Sequence, residues 1–213
     1  MINIRHHLKL YAVTDRSWLN GSSLYEQVEA ALEGGATMIQ LREKTLSLEA
    51  FLQEAHLIKE LTTRYKVPLI INDNIQVALL SHADGVHIGQ TDTSIKEARA
   101  LLGPHKIIGV TAKTPAQAIA AEQDGANYIG SGAVFGSSTK QDATTLSYES
   151  LQAICQATTL PVVAIGGITH TNLSTLAGSG ISGVAVVSGL FAATDIRQAA
   201  SELYQLTDKV VTL

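Results

Sequence analysis

At 213 residues and 46% hydrophobic content, the chain has the material for one sizeable core and reads as a single domain spanning residues 1–213. Lys+Arg 15 against Asp+Glu 19 give a formal net charge of −4; with no Lys/Arg-rich run and only 5% aromatics, this argues against a nucleic-acid groove. No uninterrupted apolar run reaches the roughly 18 residues that would span a bilayer, and Cys155, the only cysteine, excludes an intrachain disulfide framework.

The start, MINIRHHLKLYAV, places Arg5, His6 and His7 before a short apolar run and lacks a long hydrophobic region or small-residue cleavage site. No signal peptide is expected. The single cysteine points to a reducing, cytoplasmic compartment. Short β-branched and apolar runs then follow at Lys9 to Thr14, Met38 to Arg42, Leu69 to Asn72, Gly85 to Ile88, Ile107 to Thr111, Tyr128 to Ser131, Val162 to Gly166 and Val184 to Ser188. Between them lie amphipathic stretches near Leu24 to Glu33, Leu48 to Tyr65, Ile75 to Ser81, Ser94 to Leu102, Pro115 to Asp124, Tyr148 to Gln156 and Thr171 to Ala177, and Ile196 to Leu206 closes the chain. Gly and Pro punctuation precedes several strands, as in Gly34-Gly35, Val67-Pro68 and Leu160-Pro161. Cys155 falls inside YESLQAICQA and is expected to be a small core residue, not a nucleophile.

Strands such as PLII, KIIGV and PVVAIG are nearly continuous apolar runs, as expected when both faces of a parallel sheet are covered. Eightfold β/α alternation in this length predicts an α/β fold, a compact (β/α)8 TIM barrel, with an open doubly wound sheet as the alternative. In a barrel, the residues ending each strand gather at the C-terminal rim, where such folds place their sites.

Several strand ends carry chemistry. In QLREK, strand alternation puts Gln40, Arg42 and Lys44 on one side and Leu41 and Glu43 on the other, so two cations and an amide share a face suited to a polyanion. Asp73 in NDN and Asp92 in HIGQTD follow adjacent strands. Together they suit Mg²⁺, which takes hard oxygen donors and keeps waters, but helix capping is an equal reading for both. The stretch NYIGSGAVFGSSTK, residues 127–140, passes from an apolar strand into glycines, hydroxyls and a lysine, the makings of an anion loop or of a solvated turn. GGI and VVSG end the last two strands, the phosphate-binding position of many barrels. The histidines lack zinc-ligand spacing, although His87 is placed to line a pocket.

Taken in order and spacing, YAVTD, QLREK, NDN, VHIGQTD, NYIGSGAVFGSSTK, PVVAIGGI and GVAVVSG resemble the thiamine phosphate synthase family over essentially the whole chain. That resemblance implies coupling of 4-amino-5-hydroxymethyl-2-methylpyrimidine diphosphate to 4-methyl-5-(2-phosphoethyl)thiazole by a dissociative route in which pyrophosphate leaves first. By the same resemblance, Gln40, Leu41, Arg42, Glu43, Lys44, Asn72, Thr111 and Lys140 would bind the pyrimidine diphosphate. Arg42, Lys44, Thr111 and Lys140 form the expected catalytic set. Ser137, Ser138, Thr139, Gly167, Val187 and Ser188 would bind the thiazole phosphate, and Asp73 and Asp92 a Mg²⁺ cofactor. The implied partners are these small-molecule substrates, with no nucleic acid or membrane, and homo-oligomerisation is left open.

The chain departs from the family pattern at Thr111, where serine is frequent, at Lys113, where histidine is common, and at Gly136-Ser137, where Pro-Thr is frequent. Two other functions compete on the same barrel. A thiazole tautomerase resembles chemistry that uses a histidine near the position of Lys113, and a non-catalytic thiamine-pathway regulator would be expected to lose the carboxylates or the leaving-group lysine. Lys113 together with retained Arg42, Lys44, Asp73 and Asp92 argues against the first; the fold alone leaves the second open, and neither loss that would favour it is present.

Overall fold

The computed structural model describes residues 4–136 and 145–211. After a short helix α1 (Ile4–His7), strands and helices alternate as β1 (Leu10–Val13), α2 (Leu24–Glu33), β2 (Met38–Leu41), α3 (Leu48–Tyr65), β3 (Leu69–Asn72), α4 (Ile75–Leu80), β4 (Gly85–Ile88) and α5 (Ile95–Leu102). The pattern continues with β5 (Ile107–Thr111), α6 (Pro115–Gln123), β6 (Tyr128–Gly132), α7 (Tyr148–Ala157), β7 (Val162–Ile165), β8 (Gly183–Val186), α8 (Ser188–Phe191) and α9 (Ile196–Thr207).

The helix starts follow from local chemistry. Ser23, Ser47, Asn74, Ser94, Thr114, Ser147 and Asp195 each stand just before a helix and accept a hydrogen bond from a first-turn N–H that has no partner within the helix. Ser23 and Ser94 are joined by Glu26 and Glu97 in reciprocal capping boxes.

All strand pairings are parallel and run in sequence order from β1 to β8, and β8 returns to β1 through Leu10 opposite Val184 and Tyr11 opposite Ala185. That last pairing closes the (β/α)8 barrel and rules out the open sheet. Side chains alternate along each strand, producing two apolar layers. Ile39, Leu41, Leu69, Ile71, Val86, Ile108, Val110 and Ile129 face outward into the layer beneath the helices. Leu8, Tyr11, Val13, Met38, Ile70, Ile107, Tyr128 and Val163 fill the barrel itself.

Gly109 explains how a tyrosine fits inside so narrow a barrel. It sits opposite Tyr128 in the β5–β6 register, and a Cβ at that position would lie 2.0 Å from Tyr128 Cζ. The missing side chain is therefore the space the ring occupies.

Two expected elements differ. The stretch predicted as a helix over Thr171 to Ala177 forms only a 3₁₀ turn at Leu173–Leu176. Its Asn and Thr side chains bond nearby backbone, with Thr169 N donating to Asn172 Oδ1 at 2.9 Å and Thr175 Oγ1 to Asn172 O at 2.8 Å, which competes with a longer helix. The eighth strand stops at Val186, and Ser188 opens helix α8 instead of ending the strand.

Candidate active site

Alternation turns Gln40 and Arg42 at β2, Asn72 at β3, His87 at β4 and Thr111 at β5 toward the barrel axis at its C-terminal end. They line one cavity of about 190 Å³. Gly166, Gly167, Val187 and Ser188 from the ends of β7 and β8 form another part of the wall, and Lys113 contributes from the loop after β5. Residues expected to serve two different substrates thus share one chamber.

The Arg42 side chain is held from β1. Its Nη1 donates to Asp15 Oδ2 at 3.1 Å, and its backbone N–H donates to Thr14 Oγ1 at 3.0 Å. Asp15 is nearly buried, so the pair fixes the guanidinium while leaving other donors for a ligand. Across the cavity, Asn172 Nδ2 donates to the Gly167 carbonyl at 2.8 Å and braces the glycine loop after β7. Gly136 has a φ of +79°, which a proline at that position does not reach, so this departure from the family pattern is expressed in the backbone.

A polar line runs through the wall of the cavity. His87 Nε2 is 3.1 Å from Thr111 Oγ1 and His87 Nδ1 is 3.0 Å from the Tyr128 hydroxyl. Tyr128 meets the Tyr11 hydroxyl at 2.8 Å, and Gln40 Nε2 donates to Tyr11 at 2.7 Å. Burial pushes the His87 imidazole down to about 4, opposed by the Asp92 carboxylate, so the ring is neutral at physiological pH. Burial also raises both phenols above their usual range, keeping each as an O–H. The sequence placed His87 at the pocket but did not single out Tyr11 or Tyr128; the signal available was strand parity, which puts Tyr11 two residues from Val13 and Tyr128 opposite Gly109.

Other expected site residues lie elsewhere. Leu41 is 0% exposed and packs beneath the helices, because strand period two turns it away from its neighbours Gln40 and Arg42. Glu43 also turns outward and accepts from Arg16 Nε at 2.8 Å, so neither of these side chains reaches the cavity. Lys44 lies at the rim, with Nζ 2.6 Å from Asp73 Oδ2. Asp92 Oδ2 accepts from Gly89 N at 2.6 Å and closes its own turn. Neither aspartate caps a helix; Asn74 and Ser94 do. Ser137, Ser138, Thr139 and Lys140 lie outside the described residues. Cys155 packs against the outer apolar layer, where burial pushes its thiol up to about 11.

A closed eight-stranded parallel barrel, with an amide, a braced guanidinium, hydroxyls and glycine loops around one chamber, defines a (β/α)8-barrel enzyme with a small-molecule site. Comparison with known proteins narrows the class. Residues 10–190 match the family profile described as thiamine monophosphate synthase. A Clostridium acetobutylicum protein named thiamine-phosphate synthase is 45% identical over 201 residues, covering 94% of this chain and 95% of its own length. A second relative, thiamine-phosphate synthase 2 of Streptococcus pneumoniae, is 47% identical over 192 residues, with 90% and 91% of the two chains covered. Among solved structures, the thiamine phosphate pyrophosphorylase of Pyrococcus furiosus superposes with a TM-score of 0.90 at 37% identity, covering 97% of this chain and 98% of its own. The chain belongs to the thiamine monophosphate synthase family.

Proposed function

We propose that this chain joins 4-amino-5-hydroxymethyl-2-methylpyrimidine diphosphate to 4-methyl-5-(2-phosphoethyl)thiazole, forming thiamine monophosphate and releasing pyrophosphate. The observation that carries this reading is the shared chamber: Gln40, Arg42, Asn72 and Thr111 line it together with Gly167, Val187 and Ser188. A reaction that couples two phosphorylated molecules needs both held across the forming bond, and positioning of that kind supplies much of its rate.

In this reading the pyrimidine sits against Gln40 and Thr111, with its diphosphate toward Arg42 and the rim lysine Lys44. The guanidinium grips phosphate oxygens through its planar fork, and the charge it offers grows in value as the leaving group becomes more negative. No protein nucleophile is required, because the electron-rich aminopyrimidine delocalises the positive charge left at its methylene until the thiazole nitrogen attacks. The neutral His87 in the chamber wall adds no charge against that cation. For Ser137, Ser138 and Thr139 at the thiazole phosphate, and Lys140 at the departing diphosphate, the support is the family resemblance.

Asp73 and Asp92 are the residues that would hold Mg²⁺. Among the described residues no group of three or more His, Cys, Asp or Glu forms a complete metal cage. Two carboxylates at neighbouring strand ends, neither used as a helix cap, nevertheless fit a Mg²⁺ that keeps waters and completes its shell with phosphate oxygens. When bound, Mg²⁺ would supply positive charge to the diphosphate and ease its departure. Among the described residues no helix is long and apolar enough to cross a membrane. The family and the single cysteine support cytoplasmic residence.

Neither competing function is favoured. Lys113, in the place where the tautomerase chemistry uses a histidine, lines the chamber, and Arg42 keeps its brace. The test is direct: purified protein with Mg²⁺ and both substrates is expected to release pyrophosphate and form thiamine monophosphate in equal amounts. A folded sample that forms neither product sinks the reading.

A further inference from the structure

Gln40, Tyr11, Tyr128, His87 and Thr111 are joined by four successive hydrogen bonds of 2.7, 2.8, 3.0 and 3.1 Å across the inside of the barrel. The two ends, Gln40 and Thr111, line the cavity, as do Tyr11 and His87 between them, while the tyrosines are only 1% and 0% exposed. Each hydroxyl has one proton to give, and a neutral imidazole has one donor nitrogen and one acceptor. The bonds therefore set one another's direction.

Starting from Gln40, whose amide nitrogen donates to Tyr11, the Tyr11 proton goes to Tyr128 and the Tyr128 proton to His87 Nδ1. His87 then carries its hydrogen on Nε2 and donates to Thr111, leaving the Thr111 hydroxyl hydrogen for the cavity. The Gln40 carbonyl, not spent on Tyr11, is left as an acceptor. Rotating that amide would reverse all four bonds together and move the imidazole proton to Nδ1, so the line has two coherent states and intermediate states break a buried hydrogen bond.

We propose that Tyr11, Tyr128 and His87 form a one-way hydrogen-bond relay that fixes the donor and acceptor pattern Gln40 and Thr111 present to the pyrimidine, making them positioning residues for donor-substrate specificity. This rests on the reading that the cavity takes the aminopyrimidine. An exocyclic amino group offers a hydrogen to the Gln40 carbonyl, whereas the corresponding 4-oxo pyrimidine sets acceptor against acceptor. A site built to hydrogen-bond one group can reject such a mismatch by ~10⁴-fold, provided its own groups cannot turn over to suit the wrong ligand. The relay is what prevents that turn, since reorienting Gln40 requires four bonds to change at once.

The experiment is ¹⁵N NMR of the full chain labelled at histidine, with His87 assigned by the signal that His87→Gln removes. The expected result is a single tautomer with the proton on Nε2; a proton on Nδ1, or an even mixture, overturns the relay as drawn. Gln40→Glu places only acceptors at the head of the line, so Tyr11 must donate and the His87 proton is expected to move to Nδ1. A tautomer indifferent to that change overturns the proposal, because it would show that the ends are not coupled. Tyr128→Phe cuts the line in the middle and is expected to mix the tautomers and lower the kcat/KM preference for the 4-amino over the 4-oxo diphosphate by at least ~10-fold, leaving KM for the thiazole phosphate unchanged. Full retention of that preference, with only a lower Tm, would reduce Tyr128 to packing and also overturn it. The tautomer is read without substrate, so failure of the assigned reaction would be seen separately from failure of the relay.

Discussion

Lys44 and Asp73 hold each other at 2.6 Å across the ends of β2 and β3, so the cation assigned to the diphosphate and the carboxylate assigned to its metal neutralise one another at the barrel rim. Asp73 reaches that position from a left-handed backbone conformation, with φ +61°. Both partners are substantially exposed, so the contact is worth no more than ~1 kcal/mol to the fold. An exchange of partners, Lys44 to phosphate and Asp73 to Mg²⁺, therefore costs little stability and keeps both groups charged and in place.

Asp73→Asn separates these roles. Asparagine tolerates the left-handed conformation as aspartate does, so Tm is expected to stay within ~3 °C of the parent protein. The Mg²⁺ concentration giving half-maximal turnover is expected to rise at least ~10-fold, because a first ligand is lost while the other donors remain. Differential scanning calorimetry and a Mg²⁺ titration of initial rates make the comparison. An unchanged titration would remove Asp73 from the metal site.

Gly109→Ala tests the internal packing that lets aromatic rings occupy the barrel. The added methyl would lie 2.0 Å from Tyr128 Cζ and 2.3 Å from its hydroxyl oxygen, a clash that side-chain adjustment alone cannot relieve inside a closed sheet. Overpacking of this severity costs at least ~3 kcal/mol, or a fall of roughly 6–12 °C in Tm for a chain of this size. Thermal unfolding followed by circular dichroism reads it. A parent-like Tm would mean that Tyr128 is not seated across Gly109.

These two positions mark what could be read from residues alone. The barrel was legible because eight apolar runs recur between amphipathic stretches, and because strand parity separates Gln40 and Arg42 from Leu41 and Glu43. Leu41 and Glu43 entered the expected diphosphate site through family resemblance to the whole QLREK stretch, although alternation had already turned them outward. Closure was not legible, since the pairing of β8 with β1 joins residues 10 and 184, and nothing local encodes it. The Tyr11–Tyr128 contact was hidden for the same reason: a tyrosine in an apolar strand looks like core until the register brings a second hydroxyl to 2.8 Å. The choice between capping and metal binding for Asp73 and Asp92 was also undecidable by composition, because a suitable cap, Asn74 or Ser94, stands within two residues of each.

Cys155 gives a pH-dependent prediction with a worked sign. Burial raises its thiol from 9.0 to about 11, so at pH 8 the native protein holds ~100-fold less thiolate than an exposed cysteine of ordinary acidity. Alkylation by iodoacetamide at pH 8, followed by mass spectrometry, is expected to be slower in the native chain by about that factor than in the urea-unfolded chain. The same shift removes stability as pH rises above 9, because the unfolded chain releases the thiol proton before the folded one does. Equal rates in the two states would place the sulfur in solvent.

Arg42→Lys asks whether the chamber uses a charge or a fork. Arg42 spends Nη1 on Asp15 at 3.1 Å and lines the cavity, so its remaining planar donors are pre-aimed before a phosphate arrives. Lysine keeps the positive charge but loses both the brace geometry and the ability to meet two phosphate oxygens in parallel. The KM for the pyrimidine diphosphate is accordingly expected to rise ~10-fold or more, with KM for the thiazole phosphate unmoved. Asp15→Asn should move the same constant in the same direction by a smaller factor, since it weakens the brace without removing the guanidinium. Steady-state kinetics with each substrate varied in turn distinguishes the cases: a parent-like KM in Arg42→Lys would show that a point charge suffices, whereas equal losses for both substrates would place Arg42 in general packing of the chamber instead of on the diphosphate.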